Sequence, residues 1–284
     1  MTAMKSLLVA SAHGGTGRTT LVCQFAHYLR LVRGYRVLVI DLAEPACSAM
    51  SLARGPCAIR MKRGSDDIQR SPLPDTAAPR MGVLAADAIA GIARRDDPLG
   101  ARCYANLRHL FSQVAPSFDV GLIDSPPWPD PRAICAAALV DALVSPILVS
   151  PDTLGQVAEF VNGSNGVRSV RARLNPSLCF VGIVPNCVEL TRRQQAQLKW
   201  IEASVATWLV PHAQVSAGYL RLPRLDAITQ AQACGISVAD LVRVDSTVHT
   251  EWHTLSACFD TLARHLDHVG ESASQSGVAE VCDA

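Results

Sequence analysis

The chain has 284 residues, of which 49% are hydrophobic and only 5% aromatic, and its formal net charge is +1. Length and apolar content suffice for one large α/β core. Near-neutrality excludes a whole-surface attraction to nucleic acid or membrane, and the scarcity of aromatic residues argues against base-stacking platforms. The ten cysteines contain no C-x-x-C pair. Cys23, Cys135 and Cys179 lie in apolar segments, so buried reduced thiols are expected in place of a metal or disulfide framework.

In chain order, Ser6–Ala10 predicts a short strand entering the glycine-rich turn Ser11-Ala12-His13-Gly14-Gly15-Thr16-Gly17-Arg18-Thr19-Thr20. Lys5 and the apolar residues after it run into that turn and not into a leader cleavage site. Beyond it, Leu21, Phe25, Leu29 and Val32 recur at helical spacing, and Gly34 closes the helix. Arg36–Asp41 reads as a buried strand, and residues 52–80, rich in Arg, Pro, Ser and Asp, as an exposed excursion. Met81–Leu84 returns to the sheet, Tyr104–Val114 is a helix, and Phe118–Asp124 is a strand running into Ser125-Pro126-Pro127.

The apolar tract from Ile134 to Pro151 carries Asp141 and Pro146, so it divides into a helix end and a strand, Leu143–Val149, and no segment reads as a membrane span. Phe180–Val184 supplies another strand, and Thr191–Leu209 and Asp226–Ala233 supply helices. Val248, Trp252, Leu255, Phe259, Leu262 and Leu266 step by four and three, giving a final helix with one apolar face. The tail 271–284 has three acidic and no basic residues and is expected to be disordered. The expected architecture is a doubly wound, mostly parallel α/β sheet with helices on both faces, formed as a single unit by residues 1–270.

Strand, glycine turn, helix is the order that builds a phosphate cradle. Gly14, Gly15 and Gly17 allow successive N–H groups to turn inward, and the helix behind them adds the positive end of its dipole. His13, Gly14, Gly15, Thr16, Gly17, Arg18, Thr19 and Thr20 are therefore the expected nucleotide-binding residues. Asp41 and Asp124 each end a strand, and in a parallel sheet strand ends converge where ligands sit. Such carboxylates can hold magnesium, usually through water, against phosphates. Each could instead cap the turn that follows it.

In their order along the chain these motifs resemble the deviant Walker ATPases related to ParA and MinD. That family has a loop reading Lys-Gly-Gly-x-Gly-Lys-Thr-Thr, a second strand ending Asp-x-Asp-Pro and a third ending Asp-x-Pro-Pro. The third motif stands intact as Asp124-Ser125-Pro126-Pro127, and Leu222-Pro223-Arg224 followed by Ala231–Gly235 looks like the ParA segment Ile-Pro-Arg with its alanine-rich helix. The resemblance runs from about residue 4 to about residue 268. It implies a P-loop fold, ATP and Mg²⁺ as cofactors, Asp41 and Asp124 as catalytic residues, and Thr19, Asp41 and Asp124 at the metal. It also implies a nucleotide-dependent homodimer, nonspecific DNA binding, a ParB-like or cargo adaptor protein, and a cytoplasmic, nucleoid-associated role in plasmid or chromosome partitioning.

Three departures bear on turnover. His13 stands where the family lysine reaches across to the partner's phosphates, and histidine is shorter and only partly charged near neutrality. Arg18 replaces the lysine that grips the phosphates from within the cradle; charge is kept but a planar guanidinium needs more room. Ala43 occupies the place of the second aspartate of Asp-x-Asp-Pro, where a methyl can neither orient water nor accept its proton, with Glu44 adjacent as a substitute if the loop shifts. A hydrolysis-deficient, nucleotide-gated scaffold therefore stays open as an alternative.

For DNA, residues 160–224 hold eight basic residues against two acidic ones, Glu189 and Glu202, an excess that the near-zero total conceals. Arg224 matches the arginine of Ile-Pro-Arg, and Arg192 and Arg193 lie close to a second basic position of the family, so these three are the expected DNA contacts. A merely solvated helix face is the competing explanation. The acidic tail lacks the basic amphipathic helix of MinD-like members, so no membrane attachment is expected.

Overall fold

The computed structural model describes residues 4–61, 81–85, 101–189, 191–212 and 218–269. Seven parallel strands form one sheet: β1 (Lys5–Val9), β2 (Val37–Asp41), β3 (Ala58–Arg60), β4 (Met81–Ala85), β5 (Val120–Asp124), β6 (Ala142–Leu148) and β7 (Cys179–Asn186). Their spatial order is β3-β4-β2-β5-β1-β6-β7. Central strands are apolar on both faces, as a parallel sheet covered on both sides requires.

The pleat sorts these side chains into two cores. Leu8, Leu38, Ile40, Ile123 and Leu143 face one layer, while Leu7, Val9, Val37, Val39, Leu122 and Val144 face the other. The first layer is built by α3 (Ala101–Val114), α4 (Pro131–Ala137), α5 (Thr153–Asn162), α6 (Val167–Arg173) and α7 (Arg192–Val205). On the other side lie α1 (Arg18–Leu31), α2 (Cys47–Leu52), α8 (Asp226–Cys234), α9 (Val238–Val242) and α10 (His249–His268). Here α1 and α10 meet through an aromatic cluster, with Phe25 and Phe259 ring centres 5.4 Å apart and Tyr28 and Phe259 5.6 Å apart. The periodic stripe of α10 is what buries Leu255, Phe259, Leu262 and Leu266.

The expected doubly wound sheet is present, and the predicted strands and helices fall within a few residues of the observed ones. Two local expectations fail. Residues 52–61 are not wholly an exposed excursion: Leu52 is buried at the end of α2, and Ala58–Arg60 adds an edge strand to β4, supplying ladder partners that Met81–Val83 would otherwise lack. Residues 62–80 of that segment, and the tail 271–284, lie outside the described residues. Cys179 is exposed, because it opens β7 at the sheet edge, and Cys47, Cys187 and Cys234 are exposed too; Cys23, Cys103, Cys135 and Cys258 are buried. Helices α5, α6 and α9 give weaker signals in the sequence, being short or interrupted by glycine. The register also slips between Leu143 and Val144, where β7 bulges; Gly182 has φ +132 there, and a Cβ would fall 2.6 Å from the Trp208 carbonyl oxygen.

Candidate nucleotide site

β1 and α1 hold the glycine turn between them at the carboxyl end of the sheet. Gly17 precedes the first turn of α1 with φ 89 and ψ 20, a left-handed conformation that favours glycine. A Cβ at Gly17 would also lie 2.1 Å from Asn186 Nδ2, which donates to the Thr16 carbonyl at 2.7 Å. Asn186, at the end of β7, thus braces the loop from a distant part of the chain. Inside the loop, Ser11 Oγ lies 2.7 Å from Thr16 Oγ1 and donates to the His13 carbonyl at 2.9 Å. His13, Gly14 and Gly15 are exposed, whereas Thr16 is buried.

Arg18 turns back over this loop. Its Nη1 donates to the His13 carbonyl at 2.6 Å and to Ser11 Oγ. Burial works against the guanidinium's charge and nearby Asp124 supports it. Arg18 therefore stands at the cradle with a cation, as expected, but one already engaged by the loop itself.

The two strand-end carboxylates are brought together by register: β2 and β5 are neighbours, and Asp41 is aligned with Asp124. They have different surroundings. Asp41 accepts from Ala43 N at 3.0 Å, from Ser48 Oγ at 2.7 Å and from Ala49 N at 3.0 Å, so it ties the loop after β2 to the start of α2. Asp124 accepts from Thr19 Oγ1 at 2.8 Å through Oδ2, while its buried Oδ1 has no hydrogen-bond partner among the described residues. Burial, reinforced by Asp41, pushes the Asp124 carboxyl up to about 7. A divalent cation would add counter-charge to that of Arg18, and the Thr19 hydroxyl with the buried Asp124 carboxylate, one of whose oxygens is orphaned, forms a hard donor set suited to Mg²⁺. Thr19 and Asp124 fit that ion directly; Asp41, with both oxygens engaged, fits it through water.

Ala43 presents no polar side chain beside Asp41, and Glu44, 57% exposed, leans toward Arg132 with Oε2 3.7 Å from Nη1. Arg132 is itself held by Asp130 at 2.9 Å. Thr20 Oγ1 donates to Gln232 Oε1 at 2.9 Å, and Gln24 both donates to the Ile236 carbonyl and accepts from Val238 N, so α1 is tied to α8 and α9. Asn186, Gln232 and Arg132 escaped the sequence reading. A lone amide ending a buried strand was the one available hint for Asn186.

A match to the CobQ/CobB/MinD/ParA nucleotide-binding domain covers residues 7–238. The chain belongs to that family. Within it, IncC of Escherichia coli is 31% identical over 189 residues, which span 66% of this chain and 51% of IncC, so the match covers about half of that relative's length. The chromosome-partitioning ATPase Soj of Thermus thermophilus is 26% identical over 241 residues, spanning 83% of this chain and 88% of Soj. Among solved structures, apo McdA of Cyanothece superposes with a TM-score of 0.68 at 17% identity, covering 93% of this chain and 99% of McdA, and the ATP complex of a point variant of McdA with 0.62 at 16% identity, covering 98% of this chain and 99% of that one. These structural likenesses agree in fold.

The expected DNA contacts lie at the same carboxyl end. Arg192 and Arg193 are exposed in the first turn of α7, and a bridge between Val188 and Pro223 carries Arg224 beside the segment leading into that helix. Arg224 is paired with Glu189 at 2.8 Å, and Arg221 with Glu202. The two acidic residues of this region are thus spent on Arg221 and Arg224. The exposed face of α7 keeps Arg192, Arg193 and Lys199, with Trp200 half exposed among them. Among the described residues, no helix is long and apolar enough to cross a membrane.

Proposed function

We propose that this chain is a ParA-like ATP-binding protein that partitions a plasmid or chromosome or positions a similar cargo. The observation that carries this reading is the Thr19–Asp124 hydrogen bond at the mouth of the glycine turn, with Asp124 Oδ1 left for a cation. Main-chain N–H groups of residues 14–19 and the α1 dipole hold the phosphates, and Arg18 adds charge beside them. Bound Mg²⁺ neutralises charge on the phosphates. Asn186 keeps the loop from collapsing, and Asp41 fixes the loop that follows β2. With nucleotide bound, two copies face each other across His13, the paired surface holds DNA nonspecifically through Arg192, Arg193 and Arg224, and an adaptor protein of ParB-like or cargo type governs release. The name of Soj, a chromosome-partitioning ATPase, supports a partition task, and such a protein works in the cytoplasm on the nucleoid.

A second reading is favoured by specific contacts. Ala43 offers no group to orient water, Glu44 is drawn toward Arg132, and Arg18 is occupied by loop oxygens. These support a form that binds ATP and cleaves it slowly or not at all, so that the nucleotide gates a scaffold. Mass measurement with ATP and Mg²⁺, a DNA titration across salt, and single-turnover cleavage test both readings. A dimer that binds DNA in a salt-dependent manner supports the first, and the same dimer with no cleavage even with DNA and adaptor added leaves the second. A monomer that ignores ATP contradicts both.

A further inference from the structure

Outside the nucleotide site, His249 and His253 stand one turn apart at the start of α10, both exposed. Residues four apart share a helix face. Here the rings stand edge to face, with centres 4.3 Å apart and their Nε2 atoms 3.3 Å from each other. Without a metal, one imidazole donates its Nε2–H to the other.

We propose that this pair is a surface chelate for a divalent first-row transition ion of the imidazole-binding class, Zn²⁺, Ni²⁺ or Cu²⁺. Imidazole nitrogens bind zinc at about 2.0–2.1 Å. Two bonds of about 2.1 Å spanning the observed 3.3 Å meet at the ion at about 104°, close to the tetrahedral angle and within reach of a square-planar or octahedral cis pair. The two nitrogens already lie within the span of one ion, and rotation about the exposed side-chain torsions turns both lone pairs toward it. The ion takes the place of the shared proton, and water completes its coordination. Among the described residues no group of three or more His, Cys, Asp or Glu gathers around a metal position, so the site is a two-ligand clip and not a closed structural centre.

The clip staples the first turns of α10, the helix whose Glu251 accepts from Ala227 N at the start of α8. Its occupant is distinct from the hard, oxygen-bound cation at Thr19 and Asp124.

Calorimetric titration of Ni²⁺ into the purified full-length chain, free of nucleotide, tests the proposal beside the variants His249→Asn and His253→Asn. Ni²⁺ is chosen because imidazole suits it, and every exposed thiol is common to the three proteins. The expected result is one ion per chain, with affinity at least about tenfold weaker in either variant, since a single imidazole cannot chelate. The melting temperature of the parent, but of neither variant, rises with NiCl₂. Absent binding, binding that survives both substitutions, or loss in only one of them overturns the chelate. Circular dichroism of the metal-free variants verifies that both are folded.

Discussion

Thr19 Oγ1 donates to Asp124 Oδ2 at 2.8 Å, joining the first turn of α1 to the last residue of β5. The bond aims one oxygen and leaves the other, buried, without a partner among the described residues. A buried polar atom of this kind costs stability of order 1–3 kcal/mol, and such costs are retained where a ligand will meet them. Asp124→Asn should therefore raise the melting temperature of the nucleotide-free chain while weakening its affinity for ATP with Mg²⁺. Differential scanning calorimetry and a nucleotide titration measure the two effects; a variant less stable than the parent, with its ATP binding intact, would mean that the site is structural.

Arg18 holds the His13 carbonyl and Ser11 Oγ, contacts that phosphate must compete with. A lysine presents a compact charge on a flexible stem and makes fewer fixed contacts. Arg18→Lys should tighten ATP binding several-fold, and Arg18→Ala should weaken it, both read by equilibrium titration. Equal affinities across the three proteins would show that this side chain does not reach the phosphates.

By its resemblance to the family motif, Ala43 takes the place of the second aspartate, which we propose would face the attacking water. Ala43→Asp should raise single-turnover cleavage, with a positioned base contributing on the order of 10²-fold or more. Unchanged cleavage would mean that the residue at position 43 does not limit the reaction.

His27 is buried in α1, and burial, with Arg30 beside it, lowers its imidazole from 6.5 to about 4. The folded chain therefore keeps the ring neutral while the unfolded chain protonates it first. This contribution is fully present above pH 6.5 and is lost as the pH falls toward 4, amounting to about 3 kcal/mol over that window. Urea unfolding at pH 7 and pH 4.5 should show a smaller acid-induced loss for His27→Gln than for the parent. Parallel losses would remove His27 from the acid response.

Phe259 is fully buried between Phe25 and Tyr28, where α10 closes over α1. Phe259→Ala should cost about 3–5 kcal/mol in urea unfolding, the range for truncating a buried phenylalanine. A loss under 1 kcal/mol would mean that α10 is only loosely attached.

Much of the fold was legible because parallel strands buried on both faces announce themselves as short apolar runs, as Val37–Ile40 and Val120–Ile123 do. Asp41 and Asp124 were legible as candidate site residues because each ends such a run, and register aligns the two. What escaped were polar contacts between distant segments. Asn186 bracing Thr16, Gln232 meeting Thr20 and Gln24 joining Ile236 to Val238 depend on which elements become neighbours, and no local pattern encodes that. The same holds for Glu189 and Glu202, whose pairing with Arg224 and Arg221 redistributes the basic surface, and for Cys179, exposed by the edge position of β7.

The measurement that bears most directly on the nucleotide site is ATP binding with and without Mg²⁺, for the parent chain and for Thr19→Ala. The expected result is one ATP per chain, bound more tightly with Mg²⁺, and a variant in which the Mg²⁺ enhancement falls by at least about tenfold. A parent chain that binds no ATP, or a variant that keeps the full enhancement, would contradict the assignment of Thr19 and Asp124 as the cation site.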